Sequence, residues 1–181
     1  MLSGGEFHSL SNLTRATPMT SFASTGQQLA LAEAAAWAAM QRQAGHTVVF
    51  TNGCFDLLHR GHVDYLQRAR ALGDVLMIGL NSDLSVHRLK GSGRPILPEA
   101  ERAAVLAALR SVDVVTIFAE PTATALIAAV RPAIYVKGSD WGGAERVPPE
   151  AAEVQRYGGM VHYLPYLPGR STSQIIAQIR S

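Results

Sequence analysis

The pattern of apolar and polar positions between residues 48 and 70 predicts a strand, a loop and a helix in succession. Val48, Val49 and Phe50 open the stretch as a short apolar run rich in β-branched side chains, which is typical of a buried strand. After a polar loop, apolar residues recur at helical spacing from Val63 onward. The loop between these two elements holds most of the polar side chains of the stretch.

The same alternation of elements continues to the end of the chain. Further strands are expected at residues 74–80, 112–118, 133–136 and 160–164, and helices at residues 98–109, 122–130, 149–157 and 172–179. Strands separated by helices pair in parallel, because each helix carries the chain back across the sheet. The predicted fold is α/β, a Rossmann-like parallel sheet of about five strands with helices on both faces.

The N-terminal part differs from the rest. Residues 1–26 are rich in Ser, Thr and Gly without periodicity, which predicts a flexible tail to which no function is assigned. Residues 27–45 form an alanine-rich helix that ends near Gly45, and its large apolar side chains are expected to pack against the sheet or a subunit neighbour; they are Leu29, Leu31, Trp37 and Met40. Residues 27–181 are therefore treated as a single domain.

The loop at residues 51–62 has the composition of an anion site. Gly53 permits a tight turn, and Gly61 lets backbone approach a ligand at the start of the next helix. His59 and His62 are three residues apart at that helix N-terminus, where free N–H groups and the helix dipole favour anions. Two imidazoles directed at a phosphate are the simplest interpretation.

Two other interpretations of the histidine pair stay open. A histidine in a loop is often structural, and an H-x-x-H pair can form half of a metal site. Cys54 is the single cysteine of the chain, so no Cys/His cluster is evident to complete a zinc site.

Several polar motifs follow predicted strands. They are Thr51 and Asn52, Asn81 and Ser82, Lys137 and Asp140, and the loop before Ser171. The carboxyl ends of parallel strands meet at one edge of the sheet, so these motifs are expected to converge on one site. Three of the candidate segments also have a plainer interpretation: Lys90 as a solvated lysine before Gly91, Lys137 and Asp140 as a charged turn, and Ser171 as a helix cap.

Composition narrows the class of protein. The 181 residues are 48% hydrophobic with a formal charge of +2, which suits one soluble domain and argues against nucleic-acid or acidic-membrane partners. No secretory signal or membrane span is apparent, so a cytoplasmic location is expected. The G-x-G-x-x-G and G-x-x-x-x-G-K-[ST] loops of dehydrogenases and P-loop NTPases are missing from the sequence.

The motifs together carry a family resemblance. The H-x-G-H sequence at residues 59–62 resembles the signature of a nucleotidyltransferase superfamily that contains the cytidylyltransferases. The chain is most similar to the adenylyltransferases of ADP-heptose synthesis, and the similarity includes Asn81-Ser82-Asp83, Arg88-Leu89-Lys90-Gly91, Arg94-Pro95, Val136-Lys137-Gly138-Ser139-Asp140-Trp141 and Ser171-Thr172-Ser173. It therefore implies the nucleotidyltransferase type of Rossmann-like fold.

The resemblance also implies an activity. AMP would pass from ATP to a sugar 1-phosphate, D-glycero-D-manno-heptose 1-phosphate, to give ADP-heptose, a precursor of the lipopolysaccharide core, and pyrophosphate. Mg²⁺ would enter with ATP, and no protein side chain is expected to bind it. A separate sugar kinase is expected in the pathway, and a homo-oligomer is an option.

The resemblance assigns site residues in three groups. His59, His62 and Lys90 would be catalytic. Both histidines would also contact the nucleotide. The other nucleotide-binding residues would be Thr51, Asn52, Gly53, Cys54, Phe55, Gly61, Lys137, Gly138, Asp140, Ser171, Thr172 and Ser173. Weaker substrate candidates are Asp56, Asn81, Arg94, Arg102 and Trp141.

Some assignments keep an alternative. Asp56 is expected to orient the loop rather than transfer a proton, and Cys54 to be a packed side chain rather than a nucleophile. Arg102 could instead form a surface pair with Glu101. The arginine that related cytidylyltransferases carry near the last helix is not matched in place, and Arg170 is the candidate to replace it.

Two competing functions remain. One is a cytidylyltransferase acting on glycerol 3-phosphate or another small alcohol phosphate, such as ethanolamine phosphate. The other is a nucleotide sensor that binds ATP without turnover. Comparing acceptors by pyrophosphate release distinguishes them.

Overall fold

A computed structural model describes residues 26–141, 146–169 and 171–181 of the chain. Residues 1–25 of the predicted flexible tail lie outside the described residues, as does Arg170. Gly26, the last residue of the predicted tail, is instead buried, and its backbone N–H donates a 3.0 Å hydrogen bond to the Ala107 carbonyl. The elements, in chain order, are β1 (Gln27–Gln28), α1 (Leu31–Gln43), β2 (Val48–Gly53), α2 (Arg60–Arg70), β3 (Val75–Asn81), α3 (Asp83–Lys90), α4 (Glu99–Ala107), β4 (Val114–Phe118), α5 (Thr124–Val130), β5 (Ile134–Gly138), α6 (Ala151–Arg156), β6 (Met160–Leu164) and α7 (Thr172–Arg180). A short 3₁₀ turn, Ser139–Trp141, follows β5.

The strands form one parallel sheet in the order β1-β4-β3-β2-β5-β6. From β2 the chain proceeds outward through β3 and β4 and then returns to place β5 on the other side of β2. The order therefore reverses between β2 and β5, where Thr51 pairs with Val136. A reversal of this kind opens a crevice at the carboxyl ends of the two strands, the usual ligand position in such sheets.

Alternate side chains of the strands enter two cores, one on each face of the sheet. Val49 packs in a cluster with Leu66 of α2 and Leu106 of α4. Phe50, the next residue, packs in a second cluster that contains Ile127 of α5. Because both faces are covered, all seven residues of β3 are buried. The Rossmann-like parallel sheet predicted from the sequence is confirmed.

The sheet has six described strands, where the sequence predicted about five. The added strand is β1, which has two exposed glutamines and pairs with β4 through Gln27 and Val114. Two polar residues give no hydrophobic signal, so the pattern assigned them to a helix. That helix instead begins at Leu31.

The side chains that α1 buries differ from those expected. Leu31 and Met40 are exposed, whereas Ala34 and Ala38 are fully buried against the second core cluster. Small side chains on this face let α1 approach α5 closely, and the guanidinium of Arg42 donates a hydrogen bond to the Val130 carbonyl. The expectation that all four large apolar residues are buried is wrong for Leu31 and Met40.

No helix within the described part of the chain is long and apolar enough to cross a membrane.

Candidate active site

A cavity of about 650 Å³ lies at the carboxyl ends of β2, β3 and β5. Its volume falls within the range of small-molecule sites. Its lining includes most of the residues that the sequence singled out: Asn52, Gly53, Cys54, Phe55, Asp56, His59, Gly61, His62, Asn81, Lys90, Arg94, Lys137, Gly138, Asp140, Trp141, Ser171, Thr172 and Ser173. Residues from distant parts of the sequence therefore meet at the strand reversal.

The two histidines lie together at the start of α2. His59 is the N-cap, and its Nδ1 accepts a hydrogen bond of 3.1 Å from the Gly61 backbone N–H. The imidazole rings of His59 and His62 are stacked, with centroids 4.0 Å apart. This arrangement places both rings on the cavity side of a helix N-terminus, the position expected of a phosphate-binding pair.

The His62 ring is uncharged at neutral pH. Burial is the main cause, and the neighbouring His59 a second cause, of a His62 pKa that is lowered from 6.5 to about 4, while a hydrogen bond with the Leu57 backbone acts in the opposite direction. A neutral imidazole still donates one N–H hydrogen bond. His62 can therefore act on a phosphate as a hydrogen-bond donor, and a bound anion would favour its protonation.

The turn between β2 and α2 takes its shape from Phe55 rather than from Gly53. Phe55 has φ of 42°, in the left-handed region, whereas Gly53 does not have a positive φ. A Cβ atom at Gly53 would lie 3.2 Å from the Phe55 ring, so a side chain there would crowd that ring. The glycine is explained by this close approach and not by the turn geometry that the sequence suggested.

Asp56 connects this turn to the loop that follows α3. Its carboxylate is almost completely buried, accepts hydrogen bonds from the Ile96 and Leu97 backbone N–H groups at 2.7 and 3.2 Å, and pairs with Arg94 at 2.6 Å. A buried carboxylate that accepts two backbone hydrogen bonds and pairs with a guanidinium is fixed in position as a structural group. The geometry agrees with an orienting role for Asp56.

Arg102 is a buried structural residue. Its side chain is 1% exposed and donates hydrogen bonds to the carbonyls of Leu97 and Cys54 and to Asp83, the last at 2.7 Å. It does not belong to the cavity lining. The alternative of a surface pair with Glu101 is wrong, and the substrate contact is replaced by a role in fixing the Cys54 turn.

Thr51 also lies behind the cavity wall. Its side chain is fully buried, and its hydroxyl is 2.9 Å from the Tyr65 hydroxyl. Because Thr51 is not part of the lining, the expected side-chain contact with nucleotide is replaced by support of α2 against β2. Cys54 lines the cavity, and burial raises the pKa of its thiol, which opposes formation of a nucleophilic thiolate.

A network of polar side chains spans the strand reversal. Lys137 Nζ on β5 donates a 3.1 Å hydrogen bond to Asn52 Oδ1 on β2. The Tyr135 hydroxyl lies 2.8 Å from the same Asn52 oxygen and 3.1 Å from Glu150 Oε2. Burial lowers the pKa of Lys137, and the nearby Glu150 carboxylate opposes that shift. This network places one ammonium group in the crevice.

The N-terminus of α7 closes another side of the cavity. The Ser171 hydroxyl caps the helix by accepting a 3.2 Å hydrogen bond from the Gln174 N–H. The Thr172 hydroxyl donates to the Leu57 carbonyl at 3.3 Å, which links α7 to the histidine turn. Capping and cavity lining are thus compatible in Ser171. The cap explains the hydroxyl-rich sequence only in part, since Thr172 and Ser173 also line the cavity.

Lys90 is the last residue of α3 and is exposed at the cavity rim. Asn81, at the end of β3, donates a 2.9 Å hydrogen bond to the Ser85 hydroxyl. Trp141 lies beside Lys137, with its ring centroid 5.0 Å from Nζ. Lys90, Lys137 and Arg94 thus supply three positive groups to one cavity.

Sequence reasoning missed several lining residues, among them Glu150, Tyr166, Pro121 and Thr122. Pro121 and Thr122 follow β4, so the rule that strand ends converge could have identified them. Glu150 and Tyr166 belong to no recognised motif and enter the cavity from connecting segments.

Comparison with known proteins agrees with this geometry. The model of the cytidylyltransferase-like family matches residues 50–177, from β2 into α7. The chain belongs to the cytidylyltransferase-like family. This membership confirms the resemblance drawn from the sequence and makes the chain a nucleotidyltransferase.

Individual members of the cytidylyltransferase-like family are similar to this chain over most of its length. It is 53% identical over 140 residues to the bifunctional protein HldE of Syntrophotalea carbinolica, and 53% identical over 150 residues to that of Acidiphilium cryptum. These matches cover 77% and 82% of this chain but 28% and 30% of the relatives. The chain thus spans less than a third of the length of those proteins.

A solved structure is also similar. The lipopolysaccharide core biosynthesis protein from Thermoplasma volcanium has a TM-score of 0.55 and 29% sequence identity, with 68% of this chain and 98% of that one covered.

Proposed function

We propose that this nucleotidyltransferase is an adenylyltransferase that transfers AMP from ATP to a sugar 1-phosphate, D-glycero-D-manno-heptose 1-phosphate. The products would be ADP-heptose and pyrophosphate. The observation that carries the proposal is the stacked pair of His59 and His62 facing the same cavity as Lys137, at the strand reversal. The motif resemblance and the similarity to HldE proteins support the heptose substrate.

The proposed reaction is a direct displacement. An oxygen of the acceptor phosphate attacks the α-phosphorus of ATP, and the bond from that phosphorus to the bridging oxygen of the β-phosphate breaks. Pyrophosphate leaves with the electron pair of that bond. The nucleophile is already an anion, so no covalent enzyme intermediate or general base is needed.

The chain's own residues would stabilise charge and hold the reactants. His59 and His62 would donate hydrogen bonds to the α-phosphate as charge builds on it, and such preorganised donors are among the stronger contributions to catalysis. Lys90 and Lys137 would neutralise the other phosphates. The backbone N–H groups at the start of α7 would add further donors for an anion.

Mg²⁺ would neutralise and orient the triphosphate when bound with ATP. Among the described residues, no group of three or more His, Cys, Asp or Glu side chains could hold a metal ion. An ion that enters with ATP would be bound by phosphate oxygens and water and would need no protein cage. A sugar kinase would supply the phosphorylated acceptor.

The test is a screen of pyrophosphate release. ATP and CTP are each combined with heptose 1-phosphate, glycerol 3-phosphate and ethanolamine phosphate, and ATP binding is measured separately by calorimetry. The proposal predicts release with ATP and heptose 1-phosphate above all other pairs. A clear preference for CTP would move the chain to the cytidylyltransferase function, and a preference for an alcohol phosphate would overturn the heptose acceptor. ATP binding without release from any pair would indicate a sensor.

A further inference from the structure

Glu150 is a buried carboxylate in the cavity wall that the proposed reaction does not use. It is 2% exposed and immediately precedes α6. Its Oε1 accepts a 3.0 Å hydrogen bond from the Ala123 backbone N–H, and its Oε2 lies 3.1 Å from the Tyr135 hydroxyl. Removing a carboxylate from water is costly unless it is well paired. Both oxygens of Glu150 are paired, so the group is built into the wall.

The contact with Ala123 fixes one side of the cavity. Ala123 follows Pro121 and Thr122, which both line the cavity, and it is the N-cap of α5. Glu150 therefore links the turn after β4 to the segment before α6. Loss of this bond would leave a buried backbone N–H without its acceptor, which is itself unfavourable.

The contact with Tyr135 connects Glu150 to the ammonium group. The Tyr135 hydroxyl has one hydrogen and two acceptors within reach, Glu150 Oε2 and Asn52 Oδ1. A charged carboxylate is the stronger acceptor, so the hydrogen is directed mainly toward Glu150. Asn52 Oδ1 then takes its hydrogen bond from Lys137 Nζ.

Lys137 has a crowded environment that disfavours its charged form. It is 9% exposed, and burial lowers the pKa of its ammonium group. Three neighbouring groups oppose this lowering of the pKa. Glu150 has the largest effect, followed by Asp140 on the turn after β5 and by Cys54 after β2. The rings of Tyr135 and Trp141 flank Nζ at 5.7 and 5.0 Å.

We propose that Glu150 is a positioning residue that keeps the Lys137 ammonium charged in the cavity and holds the Pro121–Thr122 turn beside it. An uncharged amine would donate a weaker hydrogen bond to a phosphate than an ammonium does. The consequence for ATP binding rests on the proposed function. The consequence for the charge of Lys137 does not. It follows from the buried negative charge of Glu150 and from the hydrogen-bonded side chains that join this carboxylate to the Lys137 ammonium.

Glu150→Gln separates charge from shape. A glutamine carbonyl can still accept from the Ala123 N–H, and its amide can donate to the Tyr135 hydroxyl oxygen. Both contacts can therefore survive while the negative charge is lost. The matched control is Glu153→Gln in α6, because Glu153 pairs with Arg156 at 2.6 Å on the protein surface and is not part of the cavity.

The first measurement titrates Lys137 directly. The folded proteins are acetylated with trace acetic anhydride from pH 7 to 11, and the modification of Lys137 is followed by mass spectrometry. The titration midpoint is expected to be lower in Glu150→Gln than in the parent chain, and unchanged in Glu153→Gln. Glu150→Asp keeps the negative charge but moves it back by one methylene. Its titration midpoint is expected to lie between those of Glu150→Gln and the parent chain. A midpoint in either folded Glu150 variant equal to that of the parent would overturn the proposal.

The second measurement is the affinity for ATP by calorimetry at pH 7 and pH 9. The loss of affinity in Glu150→Gln is expected to grow with pH and to reach about ten-fold at pH 9, the effect of roughly one charge-assisted hydrogen bond. A lowered Lys137 midpoint in a protein that binds no ATP would support the role of Glu150 and overturn the proposed function. An unchanged midpoint in a Glu150→Gln protein that binds and uses ATP would overturn the role of Glu150 and support the proposed function.

Discussion

The ring of Tyr166 occupies the space beside Gly138 where any other residue would place its side chain. A Cβ atom at Gly138 would overlap the Tyr166 hydroxyl and ring. Gly138 ends β5, and the Tyr166 ring also contacts Tyr65 of α2, with centroids 5.9 Å apart. Both residues line the cavity, so the glycine lets an aromatic side chain from the C-terminal part form one of its walls.

Gly138→Ala is expected to displace the Tyr166 ring without unfolding the chain. The ring is 51% exposed and can swing outward into solvent. Losing this wall should raise the KM for the acceptor or for ATP by roughly ten-fold, because that is about the effect of losing one well-packed aromatic contact. The control is Tyr166→Ala, alone and combined with Gly138→Ala. If the ring mediates the effect, the double variant should be no worse than Tyr166→Ala; additive losses would contradict this explanation.

His59→Ala and His62→Ala should each lower kcat by roughly 10²–10³-fold, the effect of removing one preorganised donor to developing charge. The affinity for ATP should fall much less, because the donors act mainly on the transition state. Steady-state kinetics and calorimetry measure the two quantities. His46→Ala is a suitable control, since His46 is exposed and contacts Gln41 away from the cavity. Near-normal turnover in both active-site variants would remove the histidines from the mechanism.

The low pKa of His62, about 4, predicts acid sensitivity of folding. Between pH 6.5 and 4 the unfolded chain binds a proton at His62 that the folded chain does not, so the free energy of unfolding decreases as pH falls through this window. Relative to His62→Gln, which cannot titrate there, the parent should lose up to about 1.4 kcal/mol per pH unit. Above pH 6.5 the difference should be constant. Urea titrations across pH test this, and parallel curves for the two proteins down to pH 4 would contradict it.

Truncations test the N-terminal region. A chain that starts at Gly26 should match the parent in thermal midpoint and pyrophosphate release, because residues 1–25 lack the apolar pattern needed to offset ordering. A chain that starts at Thr47 loses β1 and α1, exposing the core that Ala34 and Ala38 cover, and should be unstable or aggregate. A stable, active chain starting at Thr47 would show that these elements are an appendage.

Ala38→Leu probes the same contact without deletion. Ala38 is fully buried, so the larger side chain should overpack the interface and destabilise the fold by about 1–3 kcal/mol. Ala36→Leu is the matched control, because Ala36 is exposed on the same helix. Equal unfolding free energies for the two variants would contradict the packing described for α1.

The sequence by itself determined the parallel fold and most of the cavity lining. Apolar runs and helical spacing report burial locally, so β3 and β6 were found within about one residue of their observed ends. The carboxyl ends of parallel strands lie at one edge of the sheet, and this rule by itself predicts that Asn52, Asn81 and Lys137 meet there, as they do in the cavity. Elements built on backbone pairing alone, such as β1, have no such signal.

Only the tertiary structure decided which polar residues face the cavity and which support it. The sequence assigned Arg102 and Thr51 to the site, yet both side chains are buried behind the cavity wall. Arg102 bonds to Cys54 and Asp83, which are distant in the sequence, and Thr51 on β2 bonds to Tyr65 on α2. Glu150 and Tyr166 gave no sequence signal, because their roles depend on Tyr135 and Gly138, which lie 15 and 28 residues away along the chain. The periodicity of a sequence shows that a side chain is buried, whereas the choice of its partner depends on how separate elements pack.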